Sequence, residues 1–313
     1  MYYPYFRGKQ FELITVREMA SLFAENDVIP VIEPVRESLS GLKRALEAIH
    51  GANGKAIVIV NPYYGDHQSD GGSITSFLEN EFSSSTNISA GILLRNDMSV
   101  DDAFSCLEQH LAHTPVLVHA GFTEPKALAA TLEEQGYMSG LTNIFIDDYA
   151  KLLYRKHFAS STRILIRDGF NRQRNADYPE VEVFSELHAT YPELGMSGFG
   201  DFLMVGDAYT EGGGPAYAVA IHLTFIDQDK DDVMYIYHFV SDTKDTPTDP
   251  AGKFAQALNK LITKLDSGGS GIFEGTAIEE FRGLHAKGHF PGLGYVKKLS
   301  MKHHIETLAN YLK

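Results

Sequence analysis

Ala56-Ile57-Val58-Ile59-Val60-Asn61-Pro62 is a run of apolar, mostly β-branched residues that stops at a polar side chain. Eight such runs recur along the first two-thirds of the chain, ending at Arg7, Glu33, Asn61, Arg95, His119, Asp147, Arg167 with Asp168, and Asp207. Short β-branched runs between stretches of helical period are the signature of parallel strands. The expected strands are Tyr2 to Arg7, Val28 to Glu33, Ala56 to Val60, Ala90 to Leu94, Pro115 to Val118, Asn143 to Ile146, Arg163 to Ile166 and Phe202 to Val205. Helices are expected between them, including Gln10 to Ala24, Leu42 to Ile49 and one around Val181 to Thr190. The fold class is therefore α/β, a (β/α)8 TIM-like barrel. An open doubly wound sheet competes, but it usually carries a glycine-rich first turn, which is missing here.

After Asp207 the rhythm changes. Tyr217 to Ile226 and Val233 to Val240 alternate with period two about a polar turn, Asp227 to Asp232, which predicts an inserted β-hairpin at about 216–241. A helix from Lys253 to Leu265 suits a delayed eighth barrel helix. Ser267-Gly268-Gly269-Ser270-Gly271 then loosens the chain before a C-terminal helical extension. The expected division is a barrel over 1–266, hairpin included, and an extension over 267–313 packed on it.

The chain has 313 residues, 43% of them hydrophobic, enough for one large core. Its formal net charge of -14 argues against nonspecific nucleic-acid binding. A single cysteine, Cys106, permits no internal disulfide and sits in a helical setting that reads as structural. The opening Met1-Tyr2-Tyr3-Pro4-Tyr5-Phe6-Arg7 lacks the apolar region of a secretory signal, and no stretch approaches the ~20 apolar residues of a membrane span. The cytoplasm is the expected compartment.

Residues just past barrel strands converge on one mouth, so the strand ends form a candidate site. Glu33, His119, Asp147 and Asp168 are the candidate catalytic residues; Arg95, Arg167, Asn61 and Arg7 are the candidate substrate-binding ones. Two roles fit that inventory. With a divalent metal, Glu33, Asp147 and Asp168 supply oxygen ligands while His119 acts as base and the arginines clamp an anion. Without one, a carboxylate and His119 divide acid and base duties. The stretch Arg167 to Asn175 adds Arg172 and Arg174 and reads either as a phosphate-capturing loop or as a solvated one. Glu211-Gly212-Gly213-Gly214-Pro215 matches no nucleotide fingerprint, because no lysine follows and a strand comes next. His222 and His238 face each other if the hairpin turn is centred near Asp229, a packing pair more often than a metal pair. His285, His289, His303 and His304 have irregular spacing and read as solvated surface.

Tyr3-Pro4-Tyr5-Phe6-Arg7-Gly8-Lys9-Gln10-Phe11-Glu12-Leu13, followed by Ile29-Pro30-Val31-Ile32-Glu33-Pro34, resembles the phage beta protein family and its bacterial relatives. The resemblance runs from the N-terminus through the eighth expected strand, with Gly200-Asp201-Phe202 and Asp207 in place, and departs in the longer hairpin and the tail. It implies the barrel architecture and a bacterial or phage setting, on mobile or defence-associated segments, rather than an activity. Two functional expectations follow. One is a hydrolase or lyase acting on an anionic, phosphate-containing small molecule at the mouth. The other is a non-catalytic scaffold that binds a protein partner through the hairpin or C-terminal segment, in antiviral defence for example.

Overall fold

The computed structural model describes residues 1–313 and contains an α/β barrel. Seven parallel strands come in chain order: β1 (Tyr5–Phe6), β2 (Val31–Ile32), β3 (Ala56–Ile59), β4 (Ile88–Leu94), β5 (Val116–His119), β6 (Thr142–Ile146) and β7 (Thr162–Ile166). Next in the chain, β8 (Val181–Ser185) leaves for a second sheet, and β9 (Gly198–Gly200) pairs with β7 as the eighth barrel strand. The two sheet edges then meet: the Tyr3 amide donates to the Phe199 carbonyl at 2.8 Å and the Tyr5 amide to the Asp201 carbonyl at 2.9 Å.

The eighth strand is thus Gly198–Gly200 and not Phe202 to Val205. The reason is steric. A Cβ on Gly200 would lie 2.1 Å from the Tyr3 carbonyl oxygen, so glycine allows the first and last strands to approach.

The helices around the strands are α1 (Gln10–Glu18) and α2 (Ala20–Glu25), one predicted helix interrupted at Met19, then α3 (Ser40–Gly51), α4 (Gly72–Phe82), α5 (Val100–Gln109), α6 (Pro125–Glu134) and the short α7 (Leu152–Arg155). Leu42, Ala45, Leu46 and Ile49 of α3 recur at helical spacing and are all buried. A reciprocal capping box between Ser99 and Asp102 fixes the start of α5.

The residues group into two compact units, Met1–Asp168 with Thr190–Phe202, and Gly169–Ala189 with Leu203–Lys313. The predicted hairpin exists as β10 (Ala220–Asp227) and β11 (Val233–Val240), but it belongs to the second unit with β8 on its far edge, in the order β10-β11-β8. The helix predicted around Val181 to Thr190 is instead strand β8 followed by one turn, α8 (Leu187–Thr190). Cross-strand pairing with Met234 to Tyr237 overrides the helical spacing there.

The remaining helices are α9 (Pro250–Asp266), α10 (Thr276–Lys287) and α11 (Leu293–Tyr311). Asp249 caps α9 by accepting from the Gly252 amide, with Pro250 at the first helical position. Phe254, Leu258 and Leu261 of α9, Phe281 of α10 and Leu299 of α11 form one core with Ile221, Leu223 and Phe239 of the hairpin. Helix α9 therefore serves the hairpin sheet rather than completing the eighth βα unit, and the expected boundary at 266/267 falls inside this second unit. No helix is long and apolar enough to cross a membrane.

Candidate functional site

Strand alternation sorts the candidate residues into two sets. Tyr5, Val31, Ile59, Leu93, Val118, Ile146, Ile166 and Phe202 share one buried cluster, joined two residues earlier by Ile57, Val116, Ile144 and Ile164, and this cluster marks the barrel interior. Two residues further along each strand lie Arg7, Glu33, Asn61, Arg95, Ala120, Asp148 and Asp168, in the same inward phase. His119, Asp147 and Arg167 fall in the opposite phase, toward the surrounding layer.

Among the inward set, Glu33 is fully buried and paired with the Arg7 guanidinium. It also accepts from the Tyr5 hydroxyl at 2.9 Å and from the Tyr63 and Tyr64 amides at 2.8 and 3.3 Å. The guanidinium carbon of Arg7 lies 4.9 Å from the ring centroids of both Tyr5 and Tyr64. The Arg7 amide donates to the buried Glu12 carboxylate at 2.7 Å. This pair ties the end of β1 to the loop after β3.

Asn61 works as a strand tie. Its amide donates to the Leu93 carbonyl at 3.0 Å and its side-chain oxygen accepts from the Leu93 amide at 2.8 Å, extending the β3–β4 ladder by one rung. Arg95 is half-buried, lies over the Tyr63 ring at 5.2 Å and donates twice to Asp97, at 3.0 and 3.1 Å. Tyr63 is exposed, Arg95 is half-buried, and the partner of Arg95, Asp97, is exposed.

His119 occupies a different place. It is fully buried, stacked on Phe145 at 4.6 Å and edge-on to Phe158. Asn143 gives its amide to Ser161, which leaves its oxygen to accept from His119 Nε2 at 2.8 Å, while the Tyr154 hydroxyl donates to Nδ1 at 2.8 Å. Burial pushes its pKa down to about 4, so the imidazole is neutral with both nitrogens occupied. His119 thus lies in the buried layer with both ring nitrogens hydrogen-bonded. Asp147 is held between Arg167 at 2.7 Å and Arg155 at 3.3 Å.

Glu33 and Asp147 are each neutralised by arginine, and no group of three His, Cys, Asp or Glu side chains is placed to hold a metal ion. The expected arginine loop is likewise divided: Arg172 donates to the Ala208 carbonyl and Arg174 to Asp177, while Arg167 holds Asp147. His222 and His238 do pair across the hairpin, joined Nδ1 to Nδ1 at 2.7 Å, a direct hydrogen bond that leaves no space for a metal. His303 and His304, read as solvated, are fully buried and bonded to the Phe273 carbonyl and Thr224 hydroxyl.

Sequence reasoning missed Tyr63 and Tyr64, although two aromatics directly after Asn61-Pro62 at a strand end were a signal. It also missed Asn143, Tyr154 and Arg155. Asn143 interrupts an apolar strand and was visible; the other two come from a short helix with no strong period.

No family model matches this chain, and no curated protein matches it. Among solved structures it is similar to the enoyl reductase domain of MlnA from the macrolactin biosynthesis cluster from Bacillus amyloliquefaciens, at 9% identity and a TM-score of 0.38 over 99% of this chain and 80% of that one. A similarity that low transfers neither fold nor activity.

Proposed function

We propose that the rim formed by β1 to β4 binds an anionic, phosphate-bearing ligand, and that the chain is a barrel hydrolase or lyase acting on it. The supporting observation is Arg95, an inward-phase guanidinium on the rim, oriented by the Tyr63 ring and countered only by the exposed Asp97. Arg7 and Glu33 hold the loop that carries Tyr63. Asp168, two residues past Ile166 and in the inward phase, is assigned to proton transfer. Phosphate contacts of this kind are charge-assisted and bidentate, worth about 1.5–3 kcal/mol each.

Calorimetric titration with inorganic phosphate tests the reading. Arg95→Ala is expected to weaken binding about tenfold, and Asp97→Asn to strengthen it by removing the competing carboxylate. Asp168→Asn is expected to abolish phosphate release from a phosphomonoester while phosphate still binds. Phosphate affinity unchanged in both Arg95→Ala and Asp97→Asn would sink the proposal.

The scaffold reading has one observation of its own: Leu152 and Leu153 on α7 are each 71% exposed, beside the exposed Tyr149. Under that reading the chain belongs with the phage beta proteins in a defence setting inside a bacterial cell, with α7 as one partner surface and the hairpin and C-terminal helices as another.

A further inference from the structure

The second unit contains a cavity of about 890 Å³ at the turn end of the hairpin, and its floor is aromatic. Register sets Phe225 opposite Tyr235 and Leu223 opposite Tyr237, on one face of the sheet. The Phe225 ring lies 4.5 Å from Tyr237 and 5.6 Å from Tyr235, nearly parallel to both. Edge strand β8 continues this face with Val181 beside Tyr237 and Val183 beside Tyr235, and Val183 is 59% exposed. The loop after α9 forms a wall. Gly271, at φ +70°, lets it close on the floor, since a Cβ there would lie 2.8 Å from the Phe225 ring.

The rim is acidic: Asp227, Asp229 and Asp232 line the cavity against a single lysine, Lys230. One of the protein's own ammonium groups already sits over the floor: Lys230 Nζ is 5.0 Å from the Tyr235 centroid. Lys264, outside the cavity lining, has its Nζ 4.9 Å from the Tyr237 centroid. Ring faces that take an ammonium, carboxylates around them and a cavity of ligand size together make the chemistry that recognises organic cations.

We propose that this cavity binds an organic ammonium ion, a quaternary or methylated amine, with Lys230 as a resident occupant that the ligand displaces. Lys230 is suited to that role. Its side chain is largely exposed and its ion pair with Asp227, at 3.1 Å, is a surface pair that competes weakly. A quaternary ammonium loses less hydration than a primary one on reaching the same ring. A neutral sugar would also stack on tyrosine, but it gains nothing from the excess of carboxylates.

Calorimetric titration of the full chain with choline, with a peptide carrying trimethyl-lysine, and with glucose tests this. Choline is expected to bind, and Lys230→Ala, at an exposed turn position, to tighten it about threefold by vacating the Tyr235 face. Tyr235→Leu is expected to weaken it about tenfold with an unchanged circular dichroism spectrum. The peptide binding more tightly than choline assigns the ammonium to a protein partner, and the reverse assigns it to a free amine. Absence of choline and peptide binding at millimolar concentration in both the native chain and Lys230→Ala, or glucose binding in their place, overturns the proposal.

Discussion

Glu33 accepts from an arginine, a tyrosine hydroxyl and two backbone amides, and it is fully buried. A carboxylate so engaged cannot take a proton from substrate without abandoning Arg7. Removing one partner of a buried ion pair leaves the other charge uncompensated, at about 3–5 kcal/mol. Glu33→Gln is therefore expected to lower the urea midpoint sharply, whereas Arg95→Ala leaves it nearly unchanged. Equal midpoints for Glu33→Gln and the native chain would return Glu33 to the catalytic list.

The buried histidines give the residue scale a pH signature. Burial pushes the pKa of His119 down to about 4 and those of His222 and His303 down to about 3, against 6.5 when solvated. In His222 the neighbouring His238 adds to the effect of burial, and in His303 the neighbouring His304 does. The unfolded chain then binds more protons than the folded one below pH 6.5. Stability is full above that pH and falls as the pH drops toward 4, by about 1.4 kcal/mol per unit for each histidine. Urea midpoints measured from pH 7.5 to 4.5 are expected to decline, less steeply in His119→Gln after its own loss of stability at pH 7.5 is subtracted. A flat profile would mean that these rings are not held neutral.

At the scale of elements, β9 is the instructive case. Gly198-Phe199-Gly200 has the composition of a turn, yet it closes the barrel, because only a strand without side chains on that face fits against Tyr3. Gly200→Ala is expected to destabilise the chain by about 2 kcal/mol or more through overpacking. Gly212→Ala, where an added Cβ meets nothing within 4 Å, serves as the control and is expected to be neutral. Chemical denaturation of the two variants distinguishes strand closure from a turn, in which Gly200→Ala would behave like the control. Strand β8 shows the same principle in reverse: Val181, Val183 and Phe184 read as part of a helix until β11 offers a ladder. The hairpin itself was legible to the pair, since period-two alternation around Asp229 places His222 opposite His238.

For the whole molecule, the sequence determined the barrel. Recurring β-branched runs between amphipathic helices leave few other ways to bury both sheet faces, and seven of the eight predicted strands overlap the observed barrel strands. It determined also that the polar strand ends would lie at one rim. What it could not determine was the direction of each side chain there. Near the end of a strand a shift of one residue moves a group from the mouth to the helix layer, so Glu33 and His119 look equivalent in sequence yet are separated by the pleat. Tertiary structure alone decided which candidates were already satisfied, because Tyr5, Tyr154, Asn143 and Arg155 reach them from other elements of the fold. It decided also that the hairpin takes α9 as its cover, since an apolar helix stripe records that it must be buried without recording against which sheet.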